Sequence, residues 1–259
     1  MTEIVPVFAD PGPRIRLVSV DRPWAWLAAG WRDYASALPV SLAYGVAIAV
    51  ASLALVGALF LADFLWLLLP MTAGFFLVAP LLAVGLYETS RRLGAGEQVG
   101  LAEAVGAWRR NGAQLANLGV VLLLIHLIWI RIATLLFALF FEGMHPHWGN
   151  LADTILFSPV SLPFLAVGAA VGFVLAALVF AISAVSIPML LDRDVNVFVA
   201  IATSVQAVRV NWKPMALWAA LIVVFTAVGL AAFLVGVAVV LPLVGHATWH
   251  AYRDVVAPA

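Results

Sequence analysis

The sequence predicts an all-α polytopic membrane protein: six transmembrane helices built as three repeats, each an amphipathic interfacial helix followed by a helical hairpin. Three observations carry that expectation. The composition is 65% hydrophobic and 10% charged, with a mean hydropathy of +1.12, whereas soluble domains are about half apolar and a quarter charged. The 259 residues contain charge-free runs long enough to cross a hydrocarbon core of about 30 Å, which takes roughly 20 helical residues. Of the 13 Lys and Arg residues, all but Arg131 lie outside those runs.

Taken in order, residues 1–20 (MTEIVPVFADPGPRIRLVSV) have no apolar core and no small-residue cleavage site. They read as a cytoplasmic tail and not as a signal peptide. The transmembrane domain is expected over 21–252, with a second short cytoplasmic tail at 253–259. The first span is 40–62. Asp63 interrupts, and the second span, 64–87, carries Pro70 and Pro80; so short a connection forces an antiparallel hairpin. A polar stretch, 88–114, precedes the third span, 115–141, which holds His126 and Arg131. The loop 142–161 has His145, His147, Trp148, Asn150 and Asp153 but no Lys or Arg. The fourth run, 162–191, exceeds what one span needs, so it either tilts or begins as an interfacial segment around Pro159 and Pro163. After a polar stretch, 192–213, comes a final apolar region, 214–249. As one straight helix it would be about 54 Å long. Folded back near Gly229 it gives spans 214–229 and 232–249, the reading favoured here over a single long helix.

The positive-inside rule orients these spans. Arg14, Arg16, Arg22 and Arg32 precede the first; Arg91, Arg92, Arg109 and Arg110 lie between the second and third. Arg193, Arg209 and Lys213 lie between the fourth and fifth, and Arg253 follows the sixth. The connections near Asp63, Glu142–Ser161 and Gly229 have none. Both termini are therefore expected in the cytoplasm.

Each polar stretch repeats a helical apolar stripe: Trp24, Leu27, Trp31, Tyr34, Leu38; then Leu101, Val105, Trp108, Gly112, Leu115; then Val197, Ile201, Val205, Val208, Trp212. Trp31-Arg32 aligns with Trp108-Arg109, and Arg109-Arg110-Asn111 with Arg209-Val210-Asn211. A second echo closes each hairpin: Pro80-Leu81-Leu82, Pro188-Met189-Leu190 and Pro242-Leu243-Val244. Three such units either surround a common axis, as transporter repeats do, or record duplication with interfacial helices anchoring the bundle.

Four segments, VSVDRPWAWLAAGWRDY, WIRIATLLFALFF, VSIPMLLDRDV and GHATWHAYRDVV, resemble domain-of-unknown-function family 2189, bacterial integral membrane proteins. The last two are the most specific, being long and bearing polar residues. The resemblance implies a bacterial inner-membrane location; some members of the family are labelled cytochrome c oxidase components. The three-hairpin pattern is also distantly similar to the membrane domain attached to some glycerophosphodiester phosphodiesterases, whose soluble catalytic domain has no counterpart here.

Candidate chemistry is sparse. Arg131 sits in a span, where a guanidinium costs roughly 3 kcal/mol or more, and no acid occurs in any span. Either it faces a cavity or partner, or it snorkels to the outer headgroups beside Trp129. His126, five residues earlier, occupies a different face and reads as a packing residue or an intramembrane functional group. His246 and His250, at i and i+4, share one helical face. That spacing suits a metal or axial haem ligation, or simply an interfacial belt with Trp249 and Tyr252. Asp192 and Arg193 end the fourth span at the cytoplasmic face, with Asp192 pairing with Arg193 or capping the next helix. Gly168 and Gly172 form a GxxxG packing face.

The chain has no cysteine, which excludes disulfides, iron–sulfur ligation and thiol nucleophiles. There is no phosphate-binding loop, no GxSxG and no paired intramembrane carboxylates. The net charge of zero gives no case for nucleic acid. No cofactor is expected apart from the metal or haem option at His246/His250. The function expected is non-enzymatic: an accessory or scaffold component whose partners are the lipid bilayer and membrane proteins or further copies of the chain. A transporter with Arg131 as counter-charge and a respiratory-oxidase accessory subunit are the alternatives.

Overall fold

The computed structural model describes residues 13–62, 64, 79–142, 151–232 and 236–258. Every regular element among them is helical; the sole extended pairing is an isolated bridge between Ile15 and Val256. In chain order the helices are α1 (Arg22–Ser36), α2 (Leu38–Leu61), α3 (Val84–Gly94), α4 (Leu101–Gly106), α5 (Gly112–Phe140), α6 (Leu151–Phe157), α7 (Ser161–Ser183), α8 (Ser186–Asp192), α9 (Val197–Val210), α10 (Trp212–Ala231) and α11 (Val237–Val255). A 3-10 turn, Ala107–Arg109, follows α4.

Among the described residues, four helical runs are long and apolar enough to cross a membrane: α2, α5, the α7–α8 run and α10. They fall on the expected first, third, fourth and fifth spans. Most of the second, 64–87, lies outside the described residues, as do His145, His147, Trp148 and Asn150. Residues 214–249 form two helices, not one. α10 and α11 fold back where Gly229 meets Gly236; a Cβ on Gly229 would stand 3.3 Å from the Gly236 backbone and from Val240. The fold-back comes later than expected, because α10 stays helical through Gly229 to Ala231. α11 reaches past the expected end of its span to Arg253 and Asp254, so it is less uniformly apolar than the other four.

The long fourth run is broken at Ala184–Val185, between α7 and α8. Pro188 lacks the N–H that would continue the ladder. Ser204 of α9 repairs the gap, donating to the Ala181 carbonyl at 2.7 Å and accepting from the Val185 N–H at 3.1 Å. A similar break at Ala83 frees the Leu82 carbonyl, which takes a bond from the Tyr44 hydroxyl at 2.5 Å. α3 ends in a Schellman turn: Gly96 has φ +68°, and the Glu97 N–H bonds the Arg92 carbonyl at 2.9 Å.

The core sits at the arginine-rich end. Trp26, Trp218, Leu86, Ile187, Met189 and Tyr252 are buried there, with Trp26 edge-on to Trp218 at 5.9 Å. α11 is the hub, packing against α1, α2, α3 and α10. Gly30 and Gly45 admit it: a Cβ on Gly30 would stand 2.6 Å from the Ala247 nitrogen, and one on Gly45 would overlap the Ala238 carbonyl oxygen. α5 and α7 instead pair chiefly with each other, the Trp129 ring lying 3.5 Å from where a Gly172 Cβ would stand. Gly168, the other half of the GxxxG, faces open space.

The amphipathic helices orient differently from the sequence expectation. In α1 the buried face is Trp26, Leu27, Gly30 and Tyr34, while Trp24 and Trp31 are exposed. In α9 it is Val197, Ala200, Thr203, Ser204 and Ala207, with Phe198 and Trp212 outside. In α9 small residues pack while large apolar ones point away, as in helices whose surroundings are lipid; in α1 Trp26, Leu27 and Tyr34 pack beside the close approach at Gly30.

Candidate functional site at the arginine-rich end

Between the ends of α1 and α3 and the last turns of α11 lies a cleft of about 390 Å³, lined by Asp33, Ser36, Ser90, Trp249, His250 and Arg253 among others. α11 supplies His250 and, one turn earlier, the fully buried His246. Its ring pairs with Ser41 Oγ through Nε2 at 2.9 Å and with Ser90 Oγ through Nδ1 at 2.8 Å. A neutral imidazole carries one N–H, so it donates to one serine and accepts from the other. His250 Nε2 donates to Asp33 Oδ2 at 2.7 Å. Burial pushes the Asp33 carboxyl up, but His250 and the nearby Ser90 hydroxyl outweigh it and hold the group below the usual aspartate value. The result is a continuous polar chain, Ser41–His246–Ser90–Asp33–His250, running from buried to half-exposed.

The structure therefore brings the two histidines to one site, but their donors do not fit a haem or metal pair. Both His246 nitrogens are engaged with serines, and the residue is fully buried. No cluster of three or more potential metal ligands occurs among the described residues.

Beside the cleft, Glu88 of α3 gathers three arginines. It accepts from Arg91 at 2.8 and 2.9 Å, from Arg92 at 2.8 Å and from Arg110 at 3.3 Å to each oxygen. Its side chain is 3% exposed. The turn at Gly96 brings Glu97 back to Arg91 at 3.2 Å. Sequence reading missed Glu88; the signal was an acid at i−3 and i−4 to two arginines.

Asp192 and Arg193 do not pair with each other as the main contact. The Tyr252 hydroxyl donates to Asp192 at 2.7 Å, Arg193 Nε donates to the same hydroxyl oxygen at 3.0 Å, and Arg193 also reaches the Ala257 carbonyl. Burial raises the Tyr252 phenol far above its ordinary value. The pair fastens the C-terminus to α8. The cap of the next helix is Asn196, whose side chain accepts from the Val199 N–H at 2.9 Å.

Residues 13–20, expected as a free tail, are tied down. The Arg16 N–H bonds the Val255 carbonyl at 2.8 Å, and the Ala257 N–H the Arg14 carbonyl at 2.9 Å. Asn211 accepts from the Val18 N–H at 2.9 Å and donates to the Arg16 carbonyl at 3.0 Å. Asp254 accepts from Arg22 at 2.7 Å and from Trp26 Nε1 at 2.8 Å.

Arg131 and His126 lie far from this end in sequence and join neither cleft nor network. Arg131 is exposed on α5 without a hydrogen-bond or ion-pair partner among the described residues. His126 is half-buried, and its Nδ1 is shielded with no partner among those residues.

Helices of this length and apolarity, packed at one polar end, define an integral membrane protein in contact with the bilayer. Residues 68–192 match the family model described as predicted integral membrane protein (DUF2189). The match takes in WIRIATLLFALFF and VSIPMLLDRDV as far as Asp192; the segments 18–34 and 245–256 lie outside it. No curated protein and no solved structure matches the chain.

Proposed function

We propose that this chain is a non-enzymatic accessory or scaffold component of a membrane complex, held in a bacterial inner membrane with both termini in the cytoplasm. One observation carries the reading: α5 and α7 form a wing that is largely uncovered among the described residues. In their most apolar windows 6% and 0% of residues are buried, and Arg131 stands on the exposed surface. A guanidinium at that depth costs roughly 3 kcal/mol or more unless answered, and no span of this chain contains a carboxylate. A second copy therefore cannot supply the counter-charge. A partner helix bearing an intramembrane Asp or Glu can, and its apolar face would cover the wing.

The opposite end supports the same reading, because its buried and half-buried acids are spent on holding the chain together: Glu88 on three arginines, Asp254 on Arg22, Asp192 on the Tyr252 hydroxyl. The threefold design is part of the proposal. Asn111 bonds the Val195 carbonyl ahead of α9, and Asn211 the segment ahead of α1, so one unit grips the entry of the next. The arginine-rich end is the cytoplasmic one by the positive-inside rule. The transporter alternative has less behind it, since Arg131 lines neither cleft.

The test is a photo-crosslinking residue at Leu127 or Leu135, 49% and 59% exposed, in cells. The expected result is a discrete adduct with a second membrane protein that disappears with Arg131→Leu. Adducts only with lipid, or only with further copies of the chain, would refute the partner reading.

A further inference from the structure

The cleft at Asp33 carries both signs of charge in one concavity. Two helices end at it, α1 at Ser36 and α3 at Gly94, and helix C-termini carry partial negative charge. Asp33 adds a carboxylate of which Oδ2 is taken by His250, leaving Oδ1 as an acceptor. Ser36 and Ser90 add hydroxyls, and His246 holds Ser90 from behind at 2.8 Å. That inner side is built to receive N–H donors. The opposite rim carries Arg253. Its guanidinium lies 6.0 Å over the Trp249 ring and makes one long contact, 3.3 Å, to Asp192. With 46% of its side chain exposed, it has N–H groups free for an anion.

The level of the cleft in the bilayer is set by what borders it. Ser36 directly precedes the entry to α2, and Trp249 closes the last expected span. The exposed Trp24 and Trp31 of neighbouring α1 mark the same water–lipid boundary. A zwitterion at that level is a lipid headgroup.

We propose that this cleft binds the phosphoethanolamine headgroup of a membrane lipid, its ammonium among Asp33, Ser36 and Ser90 and its phosphate on Arg253. The site rests on the chain's bilayer position and not on the partner reading above. A choline headgroup has no N–H to give to Asp33 or the serines, and a glycerol headgroup has no cation, so the site discriminates by chemistry and not by size. Arg253 is suited to phosphate because its planar fork can bond two oxygens at once.

The experiment uses the full chain, purified in detergent and stripped of lipid. It is titrated with short-chain phosphatidylethanolamine, phosphatidylcholine and phosphatidylglycerol and with free phosphoethanolamine. Binding is read as a saturable rise in unfolding temperature and as retained adducts in native mass spectrometry. The ethanolamine lipid is expected to bind about 10-fold tighter than the choline lipid, as the loss of charge-assisted hydrogen bonds implies. Arg253→Gln should weaken it about 5-fold, and Asp33→Asn should erase the preference over choline. Because Asp33→Asn also disturbs the contact with His250, Ser36→Ala at an exposed helix end serves as a second probe and should reduce the preference. Equal affinity for the ethanolamine and choline lipids overturns the proposal, as does a preference unchanged in Ser36→Ala or an affinity unchanged in Arg253→Gln. Free phosphoethanolamine binding as tightly as the lipid would overturn the lipid assignment in favour of a soluble aminophosphate.

Discussion

Glu88→Gln tests the densest electrostatic knot in the molecule with almost no change of shape. The wild-type carboxylate is 3% exposed and accepts bonds from Arg91, Arg92 and Arg110, tying α3 to the start of α5. A hydrogen bond to a charged group contributes about 1.5–3 kcal/mol, but three of them do not add here. The arginine side chains are 18%, 27% and 44% exposed, so water screens them and rehydrates them when the carboxylate is neutralised. Glutamine also keeps one acceptor oxygen. The net loss expected is about 2–3 kcal/mol, or roughly 5–10 °C in unfolding temperature for a chain of this size. Burial pushes the Glu88 carboxyl up, yet Arg91 and Arg92, with Arg110, outweigh it and hold the group below its ordinary value of 4.5. A carboxyl depressed in the folded state stabilises fully above its unfolded value and loses that contribution as pH falls through the folded one. The gap between wild type and Glu88→Gln should therefore stay constant from neutral pH down to about 5 and close below about 4.5. Unfolding curves in detergent at several pH values read this directly. A gap under about 1 °C at neutral pH, or one that persists undiminished in acid, would refute the reasoning.

Three further outcomes follow from close contacts. Gly45→Ala should destabilise by about 1–3 kcal/mol through overlap with the Ala238 backbone, while Gly57→Ala, which meets nothing within 4 Å, should be neutral or slightly stabilising; paired melting curves decide it. His246→Leu leaves the Ser41 and Ser90 hydroxyls buried without their partner and should cost about 2–4 kcal/mol, part of which returns in the double variant with Ser41→Ala. Melting curves of the two variants that coincide would exclude the buried hydroxyl as the cause. Asn211→Ala removes both side-chain bonds to residues 16 and 18, at about 1–2 kcal/mol. Limited proteolysis should then cut the N-terminal segment several-fold faster with the remainder of the chain intact.

The helices were legible because an apolar run of sufficient length has few alternatives in lipid. A fold-back within 214–249 was readable because a straight helix there would overrun the bilayer, but its expected place at Gly229 was early: α10 stays helical to Ala231. The site was only half legible. His246 and His250 announce themselves by their spacing, but Ser41 and Ser90, which take up both His246 nitrogens, lie 205 and 156 residues away, and nothing in a one-dimensional pattern pairs them. The pull toward a metal or haem reading came from seeing the donors without their acceptors.

The inward faces of the interfacial helices were misjudged for a different reason. In water a stripe of Trp24, Trp31 and Leu38 would mark the core-facing side, because burial in protein is the only escape from solvent. At a bilayer the lipid offers the same escape, so large apolar side chains gain nothing from turning inward. What distinguishes the protein-facing side is then close approach of backbones, which favours Gly, Ala, Ser and Thr. The sequence held that signal in Gly30 of α1 and in Ala200, Thr203, Ser204 and Ala207 of α9, all buried. Small residues at helical spacing mark where helices approach closely, and the large residues beside them, Trp26, Leu27 and Tyr34 in α1, complete the core. By the same criterion the sides of α5 and α7 that carry Leu135, Leu139, Phe173 and Val174, each more than half exposed, face away from it. Arg131 stands among such residues, and the proposed partner helix is the test of what answers its charge.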